Sequence, residues 1–393
     1  MKSKYAILVG DGMADYPIPE LGNITPLAYA RTPNMDSVAS RGRTGLVSTV
    51  PNGMQPGSDV ANLSLLGYDP LKYYSGRAPI EAASMGISLS QNETAFRCNL
   101  VTIENNRMVD YSAGHIDTEF AREIICELQK ELGTENIRFF PGISYRHLVV
   151  ISDFPDDLKC TPPHDITGCE IMPYLPKGSG QEILNSLMQK AVGIISGIIE
   201  KNSDHHKKSN VTDIWLWGQG RSLTLPTISQ QFGLNGTAIS AVDLVKGLGV
   251  LAGLDVPFVK GATGYLGTNY AGKIEAALKA FETQDFVYLH VEAPDETSHQ
   301  GALQKKIQAI EEFDTFIVGE MLKYQKEYTN LRILISPDHA TPVSIKTHSS
   351  EPVPYTCCGP EIGTDFSMNY SEMSAKEKPI LTGPELFRYF IQR

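Results

Sequence analysis

The chain has 393 residues, 41% apolar and 20% charged, with a formal net charge of −11. That length suits two domains. The acidic balance, with no basic patch to offset it, excludes a nucleic-acid partner, and no apolar run approaches the ~20 residues of a membrane span.

Residues 5–10 (YAILVG) read as a buried parallel strand that delivers Asp11-Gly12 to its carboxyl end. Ligands of open α/β sheets gather at such strand ends. The same run is too short for a signal peptide, so a cytoplasmic location is expected. Thr32-Pro33 marks a helix entry, with proline in the first turn. Residues 51–58 (PNGMQPGS) form a loop, and a helix starts at Ser58 and runs through Leu66. Serine at a helix start usually serves as a cap. The same position is where a phosphate would meet free N–H groups and the positive end of the helix dipole.

The texture changes near residue 90. Residues 94–102 and 144–152 are strand-like, and 117–132 and 181–201 carry helical periodicity. Residues 213–217 (DIWLW) open a new buried strand, and strands alternate with helices from there on. The expected fold is therefore α/β, a sheet with helices on both faces. Its two parts, 1–90 and 210–393, are separated by a smaller α+β domain inserted at 91–209. The His205-His206-Lys207-Lys208 run reads as a solvated loop. The six cysteines show no CxxC pairing and read as reduced thiols, with Cys357 and Cys358 as neighbouring core or loop thiols.

The residues able to do chemistry follow apolar runs. Asp11 follows 5–10, Asp295 and His299 follow 286–291 (FVYLHV), and Asp338 and His339 follow 331–335 (LRILI), with His348 beyond. Asp295 and His299 are four apart, so on a helix they share one face and can share one metal. Asp338 and His339 are adjacent, and in extended backbone they point to opposite sides, which suits two metals, one on each side. His348 can return as a further ligand. Carboxylate plus imidazole suits Zn2+ or Mn2+, whereas all-oxygen sites suit Mg2+ or Ca2+; two divalent metals are expected, Mn2+ first, with Zn2+ or Mg2+ as alternatives. Two metals ~4 Å apart stabilise both oxygens of an in-line displacement and activate a coordinated hydroxyl. Ser58 would then be a nucleophile that passes through phosphoserine. Gly267 to Lys273 matches the phosphate-loop pattern GxxxxGK, but Ile274 stands where a hydroxyl should hold Mg2+; a nucleotide loop is not expected.

At these residues the chain resembles the archaeal-type cofactor-independent phosphoglycerate mutases of the alkaline phosphatase superfamily. The matching segments are 11–15 (DGMAD), 57–59 (GSD) with 62–70 (NLSLLGYDP), Asp295-x3-His299, 336–339 (SPDH) and His348. Shorter likenesses lie at 97–100, 110–114, 164–168 and 240–249, so the resemblance spans the full length. It implies one metal held by Asp295, His299 and His348, and a second held by Asp11, Ser58, Asp338 and His339, with Ser58 as nucleophile. It implies that the inserted domain closes over the site and presents the sugar-acid part of a small phosphorylated substrate. Arg97, Arg146 and His164 are then its anion-binding candidates, with Arg221 and Lys246 from the main domain, and His115 or Asp110 would serve as general acid/base. The expected activity is interconversion of 3-phosphoglycerate and 2-phosphoglycerate. A homoserine kinase-like phosphotransferase and a metal-dependent phosphatase are the alternatives.

Overall fold

The computed structural model describes residues 3–201 and 209–392; the His205–Lys208 run lies outside them. The chain divides into two compact units, Met1–Tyr74 with Thr224–Arg393, and Ser75–Leu223. The second unit is wider at both ends than the 91–209 expected from texture. Strand β7 (Asp213–Arg221) pairs antiparallel with β3 (Glu93–Glu104), and the helix Arg77–Ser84 packs Ala78 and Ala82 against Ala95, Leu148 and Val150.

The first unit is built on a seven-stranded sheet. Its strands are β1 (Lys4–Gly10), β2 (Arg43–Ser48), β8 (Gly236–Ile239), β9 (Phe286–Val291), β10 (Leu331–Ser336), β11 (Val353–Cys358) and β12 (Ile380–Thr382), in the order β12-β2-β11-β10-β1-β9-β8. β1 runs parallel to both β10 and β9, with Val9 opposite Ser336 and Gly10 opposite Val291. Three carboxyl ends therefore meet at one edge although their residues are hundreds apart in sequence. Both faces of the sheet are covered, which is why these strands read as continuous apolar runs. On one face Ala6, Leu8, Leu289 and Ile333 share a core with Met35, Phe281 and Phe313. On the other, Tyr5 meets Phe390 and Phe286 meets Phe387 of the helix Gly383–Ile391.

The second unit is a five-stranded sheet, β4 (Arg107–Asp110), β3, β6 (Arg146–Ser152) and β5 (Ile137–Ile143) in order, with β7 on β3. Helices Thr118–Leu132 and Gln181–Lys201 bury Ile124, Leu128, Leu184 and Ile195 against Phe96, Val149 and Trp215. Asp117 caps the first of these helices by accepting from Glu119 N and Phe120 N. All six cysteines are free, with Cys98, Cys357 and Cys358 buried. Among the described residues, no helix is long and apolar enough to cross a membrane.

Leu8 is fully buried in β1, an interior strand of the sheet. Leu8→Ala is expected to cost about 3 kcal/mol through lost transfer energy and a residual cavity, read as a lower denaturant midpoint.

Candidate metal centre

The strand ends of the first unit carry two groups of metal-ligating side chains. Asp295, His299 and His348 form one, and Asp11, Asp338 and His339 the other, each with its donor atoms within 4.8 Å of one another. Asp295 and His299 stand on the helix Ala293–His299, as their spacing requires. Asp338 and His339 both join the same group, the grouping that the resemblance implies, which corrects the strand-alternation argument that set them on opposite sides. β10 ends at Ser336, and Pro337 has no N–H to continue the ladder. The next two residues lie in a bend, where strand alternation no longer applies.

In the first group His299 Nε2 lies 3.0 Å from Asp295 Oδ2, 3.1 Å from His348 Nε2, and His348 Nε2 is 3.6 Å from Asp295 Oδ1. Burial works against the Asp295 charge, but hydrogen bonds from His299 and His348 outweigh it and hold the carboxyl well below its usual range. Burial likewise works against His299, and Asp295 overrides it, lifting the imidazole to about 9. His299 Nδ1 is 2.9 Å from the Lys346 carbonyl. A carbonyl only accepts, so Nδ1 carries a proton and Nε2 is the atom turned to Asp295 and His348.

The second group is buried completely. Burial opposes the Asp338 charge, yet the imidazoles of His339 and His290 draw its carboxyl below the ordinary range. Burial pushes both imidazoles themselves down to about 4, so they are neutral at pH 7. The Asp338 charge therefore rests chiefly on N–H donors: Gly12 N at 3.1 Å, His339 N at 2.9 Å and Asn62 Nδ2 at 2.7 Å. Asp11 is the reverse case. Burial, then the charges of Asp338, Asp295 and Glu292, push it well above the usual range. Its Oδ1 is buried without a hydrogen-bond partner. His290 Nε2 is 3.1 Å from Asp11 Oδ2 but out of line for a hydrogen bond, and it too is unpaired. An orphaned carboxylate oxygen among oxygen and imidazole donors fits a divalent cation of the Mn2+ or Zn2+ class.

Ser58 is the first residue of the helix Ser58–Leu65, whose N-cap is Gly57. Its hydroxyl does not cap the helix; Oγ lies 3.0 Å from His339 Nε2. Asn62, one turn on, donates to the Ser58 carbonyl at 2.8 Å and to Asp338, and accepts from Tyr288 OH at 2.6 Å. Asp59 stays out of the group, taken up by Val60 N and Tyr74 OH. Asn62, Tyr288, His290 and Thr341 were not singled out by sequence. Tyr288 and His290 left one signal: two polar residues at alternate positions of an otherwise apolar strand, hence on one face. Lys273 of the GxxxxGK match is buried and donates to the His290 carbonyl at 2.8 Å. Lys246 lies on the helix Asp243–Leu251, 3.2 Å from Asp243.

The remaining candidates lie in the second unit. Arg97 is buried, its guanidinium 4.3 Å from the Trp217 ring centroid and its Nε 2.9 Å from Glu81 Oε2, though without hydrogen-bond alignment. Burial lowers it to about 10, which leaves it charged. His164 packs on Trp217 and Tyr111, Tyr111 on Tyr145, and both His115 and Arg146 on Tyr145. Arg97, His164, His115 and Arg146 are thus joined by a run of aromatic rings. Arg77, also 3.3 Å from Glu81, is a neighbour that sequence did not select. Arg221 is separate, holding Asp156 at 2.5 Å and the carbonyls of Phe154 and Gln91. Asp110 accepts from Ser112 N, Ser112 Oγ and Gly114 N, closing the turn that carries His115.

Gly12 has φ +61°, and a Cβ there would lie 2.6 Å from both Asp295 Oδ1 and Thr341 Oγ1. Gly12→Ala is therefore expected to lower divalent-metal content well below that of the parent chain while the far-UV circular dichroism is retained, as checked by elemental analysis after dialysis.

A family model described as 2,3-bisphosphoglycerate-independent phosphoglycerate mutase matches residues 39–198. A protein of that name from Methanosarcina acetivorans is 53% identical over 355 residues, covering 90% of this chain and 89% of its own. A Geobacter sulfurreducens protein named as a probable enzyme of the same kind is 48% identical over 379 residues, 95% of each chain. Among solved structures, a Pyrococcus horikoshii protein superposes with a TM-score of 0.82 at 28% identity, covering 100% of this chain and 97% of its own. The cofactor-independent phosphoglycerate mutase of Thermoplasma acidophilum gives 0.67 at 25% identity, covering 100% and 99%. With its parallel strand ends and paired donor groups, this chain belongs to the 2,3-bisphosphoglycerate-independent phosphoglycerate mutase family.

Proposed function

We propose that the chain interconverts 3-phosphoglycerate and 2-phosphoglycerate through a phosphoserine at Ser58. The observation that supports this most is the Ser58 hydroxyl, first in its helix and 3.0 Å from His339 Nε2 in the buried donor group. In the first step Ser58 Oγ gives up its proton and attacks phosphorus, the bond from phosphorus to the C3 oxygen breaks, and that oxygen takes up a proton. In the second, the 2-hydroxyl attacks the phosphoserine, loses its proton, and Ser58 is restored. Donor and acceptor are the same glycerate, so no external phosphoryl donor is needed.

Divalent cations, Mn2+ first among those the donors suit, would neutralise the phosphoryl oxygens and lower the pKa of the Ser58 hydroxyl. Asp295, His299 and His348 would hold one, and Asp11, Asp338, His339 and Ser58 the other. Asn62 would fix Ser58 and Asp338 together through its two donated hydrogen bonds. Arg97 and Arg146 suit the carboxylate of the glycerate because a planar guanidinium pairs with it in two places, and His164 and Lys246 are further anion binders. We place His115 at the glycerate hydroxyls as acid/base, with Asp110 holding its turn. A cytoplasmic location suits a small phosphorylated metabolite. The kinase alternative needs a nucleotide donor, and the Lys273 amine that would serve it is committed to the His290 carbonyl.

Supplied with 3-phosphoglycerate and Mn2+ alone, the chain is expected to produce the 2-isomer, and a strict requirement for ATP and homoserine would favour the kinase. Ser58→Ala should abolish the phosphoenzyme formed from labelled substrate; persistent label would remove Ser58 from the role. His348→Ala should lower metal stoichiometry and turnover together, and unchanged metal content would count against it as a ligand.

A further inference from the structure

One hydroxyl joins the two donor groups. Thr341 Oγ1 lies 2.5 Å from Asp295 Oδ1 and 3.1 Å from His339 Nδ1. It has a single proton to give, and an ionised carboxylate oxygen can only accept. Asp295 is ion-paired with His299, so the Thr341 proton points at Asp295 and an oxygen lone pair is left toward His339. For the contact at His339 to be a hydrogen bond, Nδ1 must carry the proton.

We infer that Thr341 is a positioning residue that fixes His339 as its Nδ1–H tautomer and so turns the Nε2 lone pair toward Ser58, Asp11 and Asp338. Those groups lie 3.0, 3.5 and 3.5 Å from Nε2. The two carboxylates alone would favour a proton on Nε2. Thr341 decides against it, because turning its proton to Nδ1 would leave two acceptor oxygens 2.5 Å apart with nothing between them.

The hydroxyl has little room to move away. Thr341 N donates to the Ala14 carbonyl at 3.1 Å, and its own carbonyl accepts from Lys306 Nζ at 2.9 Å. Lys306 is fully buried and also pairs with Asp15 at 2.8 Å. His299 is set differently, by a backbone carbonyl that can play only one part. Donor orientation in the second group thus depends on a carboxylate of the first. The catalytic weight of this link rests on the two-cation reading above; the tautomer does not.

The test is long-range 15N NMR of the full-length chain labelled at histidine, stripped of divalent ions and again loaded with Zn2+. The His339 signals are identified by their loss in His339→Asn. The wild type and Thr341→Ser should show the Nδ1 proton in both states. Thr341→Val, stripped of metal, should show an Nε2 proton or a mixture, and its Mn2+ affinity by calorimetry should fall about tenfold or more, with Thr341→Ser near wild type. An Nε2 proton in the stripped wild type, or an unchanged Nδ1 proton in Thr341→Val, overturns the inference. The wild-type spectrum suffices for this if Thr341→Val proves unstable. A wild type with the Nδ1 proton that binds no divalent cation would instead remove the two-cation reading and leave the tautomer standing.

Discussion

Three carboxylates are buried at one edge of a sheet, and the first unit is organised around keeping them there. Asp11, Asp295 and Asp338 are each at most 5% exposed. Asp11 and Asp338 bring oxygens within 4.8 Å of each other. Two such charges repel by roughly 3 kcal/mol at an effective dielectric near 20, and burial adds a desolvation cost for each. The surroundings answer each one differently. Asp295 is offset by an imidazolium and Asp338 by three N–H donors, while Asp11, buried beside the other carboxylates, has its pKa pushed up. A divalent cation bound at either group would compete with protons for the same donors, so occupancy and acidity would be linked.

The support behind the donors is as specific as the donors themselves. Gly12 lets the backbone after β1 pass where any side chain would strike Asp295 and Thr341, and its N–H serves Asp338. Lys306 draws Asp15, Ala14 and Thr341 onto one amine. Asn62 ties the helix Ser58–Leu65 to Asp338 and to β9 through Tyr288. Several of these donors are thus held by partners outside the two groups, Asp338 by Gly12 and Asn62, Asp295 by Thr341 and His299 by the Lys346 carbonyl, which is a pre-organised arrangement.

Much of this was legible in the sequence for simple reasons. Parallel strands buried on both faces leave apolar runs, and a polar residue just past each run marks the sheet edge; this located Asp11, Asp295 and Asp338. The spacing of Asp295 and His299 is the helical repeat. The bend after Pro337 defeated the alternation argument for Asp338 and His339, since periodicity holds only while the strand lasts. Thr341 and Lys306 were invisible, and Asn62 stood in a matched segment with no role assigned, because their roles rest on hydrogen bonds between segments far apart in sequence, and no local pattern encodes such a partner. Arg221 looked like an anion binder by type alone, and its neighbours Asp156 and Phe154 were not predictable from spacing.

The interleaving of the two units has a consequence for biogenesis. β1 is an interior strand of its sheet, yet its neighbours begin at Phe286 and Leu331. As the polypeptide leaves the ribosome, Lys4–Gly10 therefore emerges early and waits as an unpaired apolar strand, while Ser75–Leu223 is an unbroken stretch able to fold as it appears. Closing so long a loop is slow. The edge that carries the two donor groups cannot close before residues 331–348 have emerged, and until then the unpaired first strand is where a nascent chain would most need a chaperone.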